Sequence, residues 1–169
     1  APAAAFDNAH RQEVENYYQA QAFFIYALSS YYRASGDKNA LKLAYEIMDL
    51  VEKYATDDVA YLETMARDWK SELQNDELSE NGLMADKTMN TTLHLMEAYT
   101  ELYLADHSPK VLDRLKFQLD LTYDKIYDKE GHKLLVFFDR NMDVIGDIHS
   151  YGHDIEATWL IDRACEVIG

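Results

Sequence analysis

The sequence contains two copies of a histidine–glutamate pair that could carry out proton-transfer chemistry. His94 and Glu97 belong to a His-x-x-Glu-Ala motif, and a shift of 59 positions superposes it on a second copy that contains His153 and Glu156. Residues three apart share one face of a helix, so each histidine is predicted to lie one turn from a carboxylate. Histidine has an unperturbed pKa near neutrality, and a nearby carboxylate can orient its ring, whereas a helix N-terminus opposes its charge. Two such histidines facing one cavity could remove and return a proton.

Two other interpretations of these pairs stand beside this one. Each pair could be a helix-surface ion pair worth only about 0.2–0.5 kcal/mol, although the repetition, flanked by Asn90 and Tyr151, favours a functional site. A metal site is the second alternative, since helical bundles hold paired metal ions with Glu-x-x-His motifs and further glutamates. The order here is His-x-x-Glu, and no partner helix clearly supplies the remaining carboxylates. Acid/base chemistry without a metal is therefore the stronger prediction.

Long helices are predicted to position these residues, because the chain has only six glycines and two prolines. Apolar spacing of three and four residues predicts five helices, over about 12–34, 38–54, 88–105, 110–127 and 152–168. Residues 55–86 are predicted to form a short helix or an irregular layer, and alternation in 134–138 predicts a short strand or extended arm. Cys165 is expected to pack in the apolar stripe of the last helix.

An internal repeat supports this arrangement. A shift of 71 positions places Ala27 on Ala98 and Tyr32 on Tyr103, and it also superposes the following helices. Helical hairpins that cannot bury their apolar faces alone imply a solenoid or a closed helical toroid. The fold class is therefore predicted to be all-α, with repeated helical hairpins and one short extended arm.

Composition limits the partners and the compartment. The 169 residues include 31 acidic and 16 basic side chains, for a net charge of -15. Such a surface repels phosphate backbones and anionic lipids, so neither nucleic acid nor membrane is an expected partner. No stretch approaches the length of a membrane span. A single cysteine calls for no oxidising compartment, which favours the cytoplasm.

Two segments resemble signatures of the cellobiose 2-epimerases of the N-acylglucosamine 2-epimerase superfamily. These segments are 87–99 (KTMNTTLHLMEAY) and 150–160 (SYGHDIEATWL). Segment 25–37 (IYALSSYYRASGD) and the run FFD at 137–139 look like the same family. The similarity extends from about residue 22 to the end of the chain, and residues 1–21 contribute least to it.

The resemblance implies part of an (α/α)6 barrel, with residues 1–169 forming a single incomplete segment. It also implies reversible inversion at C2 of the reducing-end glucose of β-1,4-linked disaccharides such as cellobiose, without a metal or organic cofactor. In that scheme the sugar ring opens, a base removes the C2 proton to leave a cis-enediolate, and the proton returns on the other face.

The resemblance also implies roles for individual residues. His94 and His153 fall on two essential histidines, Asn90 on a substrate-contacting asparagine, and Glu156 on a glutamate beside the second histidine. Glu97 is predicted to orient its neighbouring histidine. Many members carry a histidine at the position of Thr92, so this chain departs from the family at one place within the motif.

Family enzymes are more than twice as long, which implies that this chain is a middle portion. It lacks an upstream segment with an arginine near the substrate and a downstream segment with a third histidine and sugar-stacking tryptophans. The isolated chain is therefore expected to be weak or inactive and to self-associate through open barrel edges. A non-catalytic helical-repeat module that binds a protein partner is the alternative function.

Overall fold

The computed structural model describes residues 15–66, 69 and 84–169. Helices in this part of the chain are α1 (Tyr18–Ser35), α2 (Lys38–Tyr54), α3 (Met89–Asp106), α4 (Pro109–Leu121) and α5 (Tyr151–Ile168). Short strands are β1 (Glu15–Tyr17), β2 (Thr64–Ala66), β3 (Lys87–Thr88), β4 (Tyr127–Asp128), β5 (Lys133–Leu134) and β6 (Phe137–Phe138). They form three separate antiparallel pairs, β1–β2, β3–β6 and β4–β5. Expectations for residues 1–14 and for the polar run 74–82 lie outside the described residues.

The predicted repeat of helical hairpins is confirmed, because a shift of 71 positions carries the bounds of α1 onto those of α3. The turns that follow are also alike. Gly36 and His107 both have left-handed backbone angles, with φ of 74° and 54°. Their N–H groups donate to the carbonyl oxygens of Tyr32 and Tyr103, each at 2.7 Å. Each helix of the pair therefore ends in the same left-handed cap.

The helices form two layers. Helix α3 packs against α1 on one side and α5 on the other, while α2 packs on α1 and α4 packs on α3. Residues on almost every side of α3 are buried, including Leu93, Met96, Tyr99 and Leu102. Burial of one such apolar side chain contributes about 1.5–3 kcal/mol, so α3 is the centre of the core.

A buried polar cluster joins α2, α3 and α4. The Glu52 carboxylate accepts hydrogen bonds from the hydroxyls of Tyr61 and Tyr99, with O···O distances of 2.9 and 2.7 Å. The Nε atom of Arg114 lies 2.5 Å from Oε2 of Glu52. Burial raises the pKa of both tyrosines, so their hydroxyls stay protonated and donate. The two hydroxyls and the Arg114 charge offset the cost of burying most of the Glu52 carboxylate.

Three departures from the sequence predictions have local causes. Helix α1 begins at Tyr18, because residues 15–17 pair with β2. Helix α4 ends at Leu121, after which residues 122–126 form a wider π-helical turn. The short strand or extended arm predicted over 134–138 is present as two short strands with different partners, since β5 pairs with β4 whereas β6 pairs with β3.

The packing prediction for Cys165 is also wrong, because this residue is exposed. The buried face of α5 is formed by Ala157, Leu160 and Ala164. Within the described residues, no helix is long and apolar enough to cross a membrane.

Candidate active site

A polar stripe crosses the otherwise apolar surface of α3. It consists of Asn90, His94, Glu97 and Glu101, whose spacing of four, three and four residues places them on one face. The stripe lies towards the two neighbouring helices. On the α1 side, Glu101 Oε2 lies 2.6 Å from Nη1 of Arg33. On the α5 side, Asn90 contacts His153.

His94 is held by its own helix. Its Nδ1 atom lies 3.2 Å from Oε2 of Glu97, as the spacing of the motif predicts. The ring also packs against Phe23 of α1, with centroids 4.8 Å apart, and the residue is only 9% exposed. A carboxylate oxygen only accepts hydrogen bonds, so this contact places a proton on Nδ1 and leaves Nε2 as the second functional nitrogen.

His153 has different partners. Its Nδ1 atom lies 2.7 Å from the hydroxyl of Ser150, and its Nε2 atom lies 3.0 Å from Oδ1 of Asn90. Since an amide oxygen also only accepts, the contact with Asn90 requires a proton on Nε2. The side chain of the half-buried Glu156 makes no hydrogen bond or ion pair with any of the described residues. The structure therefore brings His153 to Ser150 and Asn90 rather than to the glutamate of its motif.

Asn90 brings the two histidines together. It lies one turn before His94 on α3, and its amide reaches His153 across the contact between α3 and α5. Side chains one turn apart have Cβ atoms about 5–6 Å from each other. Both imidazoles and the amide thus lie near the contact between α3 and α5.

Asp154 fixes the start of α5. Its Oδ2 atom lies 2.5 Å from Nε2 of His149, and its Oδ1 atom accepts a 3.0 Å hydrogen bond from the backbone N–H of Leu134. Partial burial favours the protonated acid, but these two hydrogen bonds outweigh it and hold the pKa of Asp154 below its ordinary value. The first turn of α5, which carries His153, is thereby joined to the β4–β5 hairpin.

Glu63 was missed by the sequence analysis, because it lies in the segment that carried no periodic signal. It is 3% exposed, and its Oε2 atom accepts hydrogen bonds from the hydroxyls of Thr88 and Thr91, at 2.6 and 2.7 Å. Burial raises the pKa of Glu63, and the two hydroxyls and nearby His94 only partly oppose that effect. The carboxyl group therefore supports the first turn of α3, where Asn90 lies.

A small depression lies beside Glu97, between α1, α3 and α5. Its lining includes Tyr26 of α1, Glu97 of α3, and Trp159 and Arg163 of α5. Trp159 is 59% exposed, so its ring face is accessible for stacking on a sugar. Within residues 15–66, 69 and 84–169, no group of three or more histidine, cysteine, aspartate or glutamate residues is arranged to hold a metal ion.

Comparison with known proteins identifies the family. The sequence model described as N-acylglucosamine 2-epimerase (GlcNAc 2-epimerase) matches residues 3–166. The chain belongs to this family. A cellobiose 2-epimerase of Ruminococcus albus is 61% identical over 148 residues, which cover 88% of the chain and 38% of the relative. A cellobiose 2-epimerase of Dictyoglomus turgidum is 43% identical over 148 residues, with the same coverage.

Solved structures of similar proteins confirm the fold prediction. A sugar epimerase from a ruminal bacterium superposes with a TM-score of 0.88 at 57% identity, covering 92% of this chain and 40% of that one. The cellobiose 2-epimerase of Bacillus thermoamylovorans gives 0.87 at 44% identity, with the same coverage. The chain therefore consists of repeated helical hairpins that form part of an (α/α)6 barrel.

The chain spans 38% of the length of the R. albus relative. The alternative of a non-catalytic binding module is not favoured, since the family and these relatives are named as epimerases.

Proposed function

We propose that this N-acylglucosamine 2-epimerase family chain is part of a disaccharide 2-epimerase that converts cellobiose to glucosylmannose. The observation that carries the proposal is that Asn90 contacts His153 of α5 and lies one turn from His94 on the neighbouring helix α3. The names of the relatives support cellobiose as the substrate.

The proposed chemistry is proton transfer at C2 after the sugar ring opens. One ring accepts the C2 proton and leaves a cis-enediolate, and a protonated ring returns a proton to the opposite face. The hydrogen-bond partners support this division of labour, because His94 carries a proton on Nδ1 while the contact of His153 with Asn90 places one on Nε2. The reaction needs a nitrogen lone pair and an acidic N–H at the same carbon, and two imidazoles can supply both.

The neighbouring polar residues orient the substrate and the rings. Glu97 holds the ring of His94, while the amide of Asn90 is placed to exchange its contact with His153 for a sugar hydroxyl. Glu156, half-buried one turn after His153, is proposed to accept a hydrogen bond from the substrate. No metal or organic cofactor takes part in this scheme.

Catalysis by the 169 residues alone is expected to be weak. Tyr151, Ile155 and Trp159 form a stripe on α5 with exposed fractions of 78%, 77% and 59%. A cleft without a wall on this side aligns the substrate poorly and admits water. The same apolar stripe favours self-association, which sedimentation of the 169-residue chain would detect. A stable monomer with the turnover of the complete enzyme would contradict both expectations.

The decisive experiment incubates the complete protein with cellobiose in deuterated water and follows glucosylmannose by NMR. We expect product with solvent deuterium at C2, because the enediolate loses its proton to a histidine that exchanges with water. Full retention of the original C2 hydrogen would favour an internal transfer, and absence of product would reject the substrate. Activity should survive exhaustive chelation, whereas loss that is reversed by one added metal would support the metal-site alternative.

A further inference from the structure

Helix α5 begins with a serine that does not cap it. Ser150 occupies the N-cap position with extended backbone angles, φ -117° and ψ 96°, yet its side chain makes no capping hydrogen bond. Serine is among the strongest N-cap residues, and a cap stabilises a helix by about 1 kcal/mol. Its hydroxyl instead lies 2.7 Å from Nδ1 of His153, three positions later.

The start of α3 provides the matched comparison. Thr88 has the same N-cap role with φ -132° and ψ 151°, and its hydroxyl accepts a 3.1 Å hydrogen bond from the backbone N–H of Thr91, three positions later. Both helices therefore place a hydroxyl residue at the N-cap, but only α3 uses it as a cap. The first turn of α5 is held instead by Asp154, through His149 and Leu134.

We propose that Ser150 is a positioning residue for His153, an inference that rests on the proposed epimerase function. A hydroxyl can both accept and donate a hydrogen bond, unlike the carboxylate that holds His94. In protonated His153, Nδ1–H donates to Ser150 and Nε2–H donates to Asn90. When Nε2 transfers its proton to the substrate, the other proton stays on Nδ1 and keeps its bond to Ser150. Nε2 then carries a free lone pair that still faces the substrate and can accept a proton again.

Without the hydroxyl, Nδ1 of His153 loses its partner in both protonation states, and only the contact of Nε2 with Asn90 orients the ring. The hydrogen bond made by one nitrogen sets which nitrogen of a histidine is protonated. Loss of such a supporting partner typically lowers activity by about 10- to 100-fold. Ser150 thus acts through His153 and need not touch the sugar.

The test uses the complete enzyme with Ser150→Ala and Ser150→Gly, and Thr88→Ala as the comparison for stability. We expect both Ser150 variants to lower kcat by about 10- to 100-fold with KM within about two-fold, and Ser150→Thr to restore most of the activity. Glycine is tolerated at an N-cap, so Ser150→Gly removes the hydroxyl even if alanine impairs folding. Thr88→Ala should lower Tm more than either Ser150 variant does.

Ring ¹⁵N chemical shifts of His153 give a second readout that does not depend on substrate. In the neutral wild-type ring we expect the proton on Nε2, which donates to Asn90, while Nδ1 accepts from the hydroxyl of Ser150. In Ser150→Ala the Nδ1 resonance should move downfield, because that hydrogen bond is lost. Unchanged kcat together with unchanged ¹⁵N shifts in both Ser150 variants would overturn the proposal, and a lower Tm in those variants would then identify Ser150 as an ordinary cap. If the complete protein fails to epimerise cellobiose, the proposed function fails, but the ¹⁵N shifts still decide the role of Ser150.

Discussion

The two histidine sites share a motif but differ in where that motif lies on its helix. His94 is the sixth residue of α3, so its ring is well inside the helix and contacts Glu97 one turn further on. His153 is the third residue of α5, so its ring lies beside the N-cap residue Ser150. A displacement of three residues along the helix therefore replaces a carboxylate partner by a hydroxyl. The same His-x-x-Glu spacing can thus produce two different environments for an imidazole.

Removal of either imidazole should have the largest effect. We expect His94→Ala and His153→Ala, each in the complete enzyme, to lower the rate of epimerisation by about two to four orders of magnitude, because each ring is a positioned acid/base group. Cellobiose turnover followed by chromatography would measure this. His107→Gly is the control, since this exposed residue has the left-handed backbone angle that glycine adopts readily. Comparable losses in the control would mean that the variants report stability rather than chemistry.

Loss of the carboxylate at His94 should have a smaller effect. Glu97→Gln keeps the size of the side chain but can donate as well as accept, so the proton on Nδ1 of His94 is no longer enforced. We expect kcat to fall by about ten-fold, as for other groups that support a functional histidine. Steady-state kinetics of the variant would show it. Unchanged kcat would indicate that His94 needs no carboxylate and that the two sites are more alike than their contacts suggest.

Asp154 should affect the stability of the His153 side of the site. Its pKa is lowered in the folded protein, so its contribution to stability is present above the ordinary carboxyl pKa of about 3.9 and is lost as the pH falls through the lowered value. We expect Asp154→Asn to reduce the free energy of unfolding by about 1 kcal/mol at neutral pH, the net scale of one ordinary hydrogen bond.

Thermal unfolding of the complete enzyme at pH 7, 5 and 3.5 would test the effect of Asp154→Asn. The difference in stability between the wild type and the variant should be smaller at pH 3.5 than at pH 5. Asp162→Asn, at an exposed position on the same helix, is the control. A gap that persists unchanged into acid would assign the effect to packing rather than to ionisation.

Substitution of Glu63, on the His94 side of the site, should raise rather than lower the free energy of unfolding. This effect should be the smallest of those predicted. Its pKa is raised, so its contribution to stability is present below the unfolded-state pKa and is lost as the pH rises through the folded-state value. Glu63→Gln retains an oxygen for the hydroxyls of Thr88 and Thr91 without a buried charge. We expect the free energy of unfolding at pH 7 to rise by about 0.5 kcal/mol, measured by denaturant titration. A clear fall in the free energy of unfolding of Glu63→Gln would show that the charge itself stabilises the start of α3.

Most of the fold follows from periodicity, which survives in a sequence of long amphipathic helices. Helix α2 has the predicted bounds, and the repeat of 71 positions reappears in α1 and α3. The strand pairs were not predicted, because two-residue ladders depend on distant partners such as β3 with β6. The ends of α1 and α4 also differ, since pairing of β1 and a π-helical turn override helical spacing.

The candidate site follows the same division between local and distant information. The contact of His94 with Glu97 could be predicted because both residues lie on one helix. The partners of His153 depend on where α5 begins and on a contact with α3, neither of which the motif reveals. Glu63 meets α3 across a loop, and no local pattern marks such a contact.

The burial of α3 also predicts that the two sides of the site open at different rates. Amides in a helix enclosed by three others exchange with solvent only through the larger openings of a protein, whereas a helix start near the surface opens more often. Hydrogen exchange should therefore be slowest around His94 and faster around His153, where Tyr151 and Gly152 are exposed. Each brief opening of α5 separates His153 from Asn90 while His94 keeps its place. The contact between the two halves of the site should therefore break and re-form at the rate at which the first turn of α5 opens and closes, while α3 stays folded.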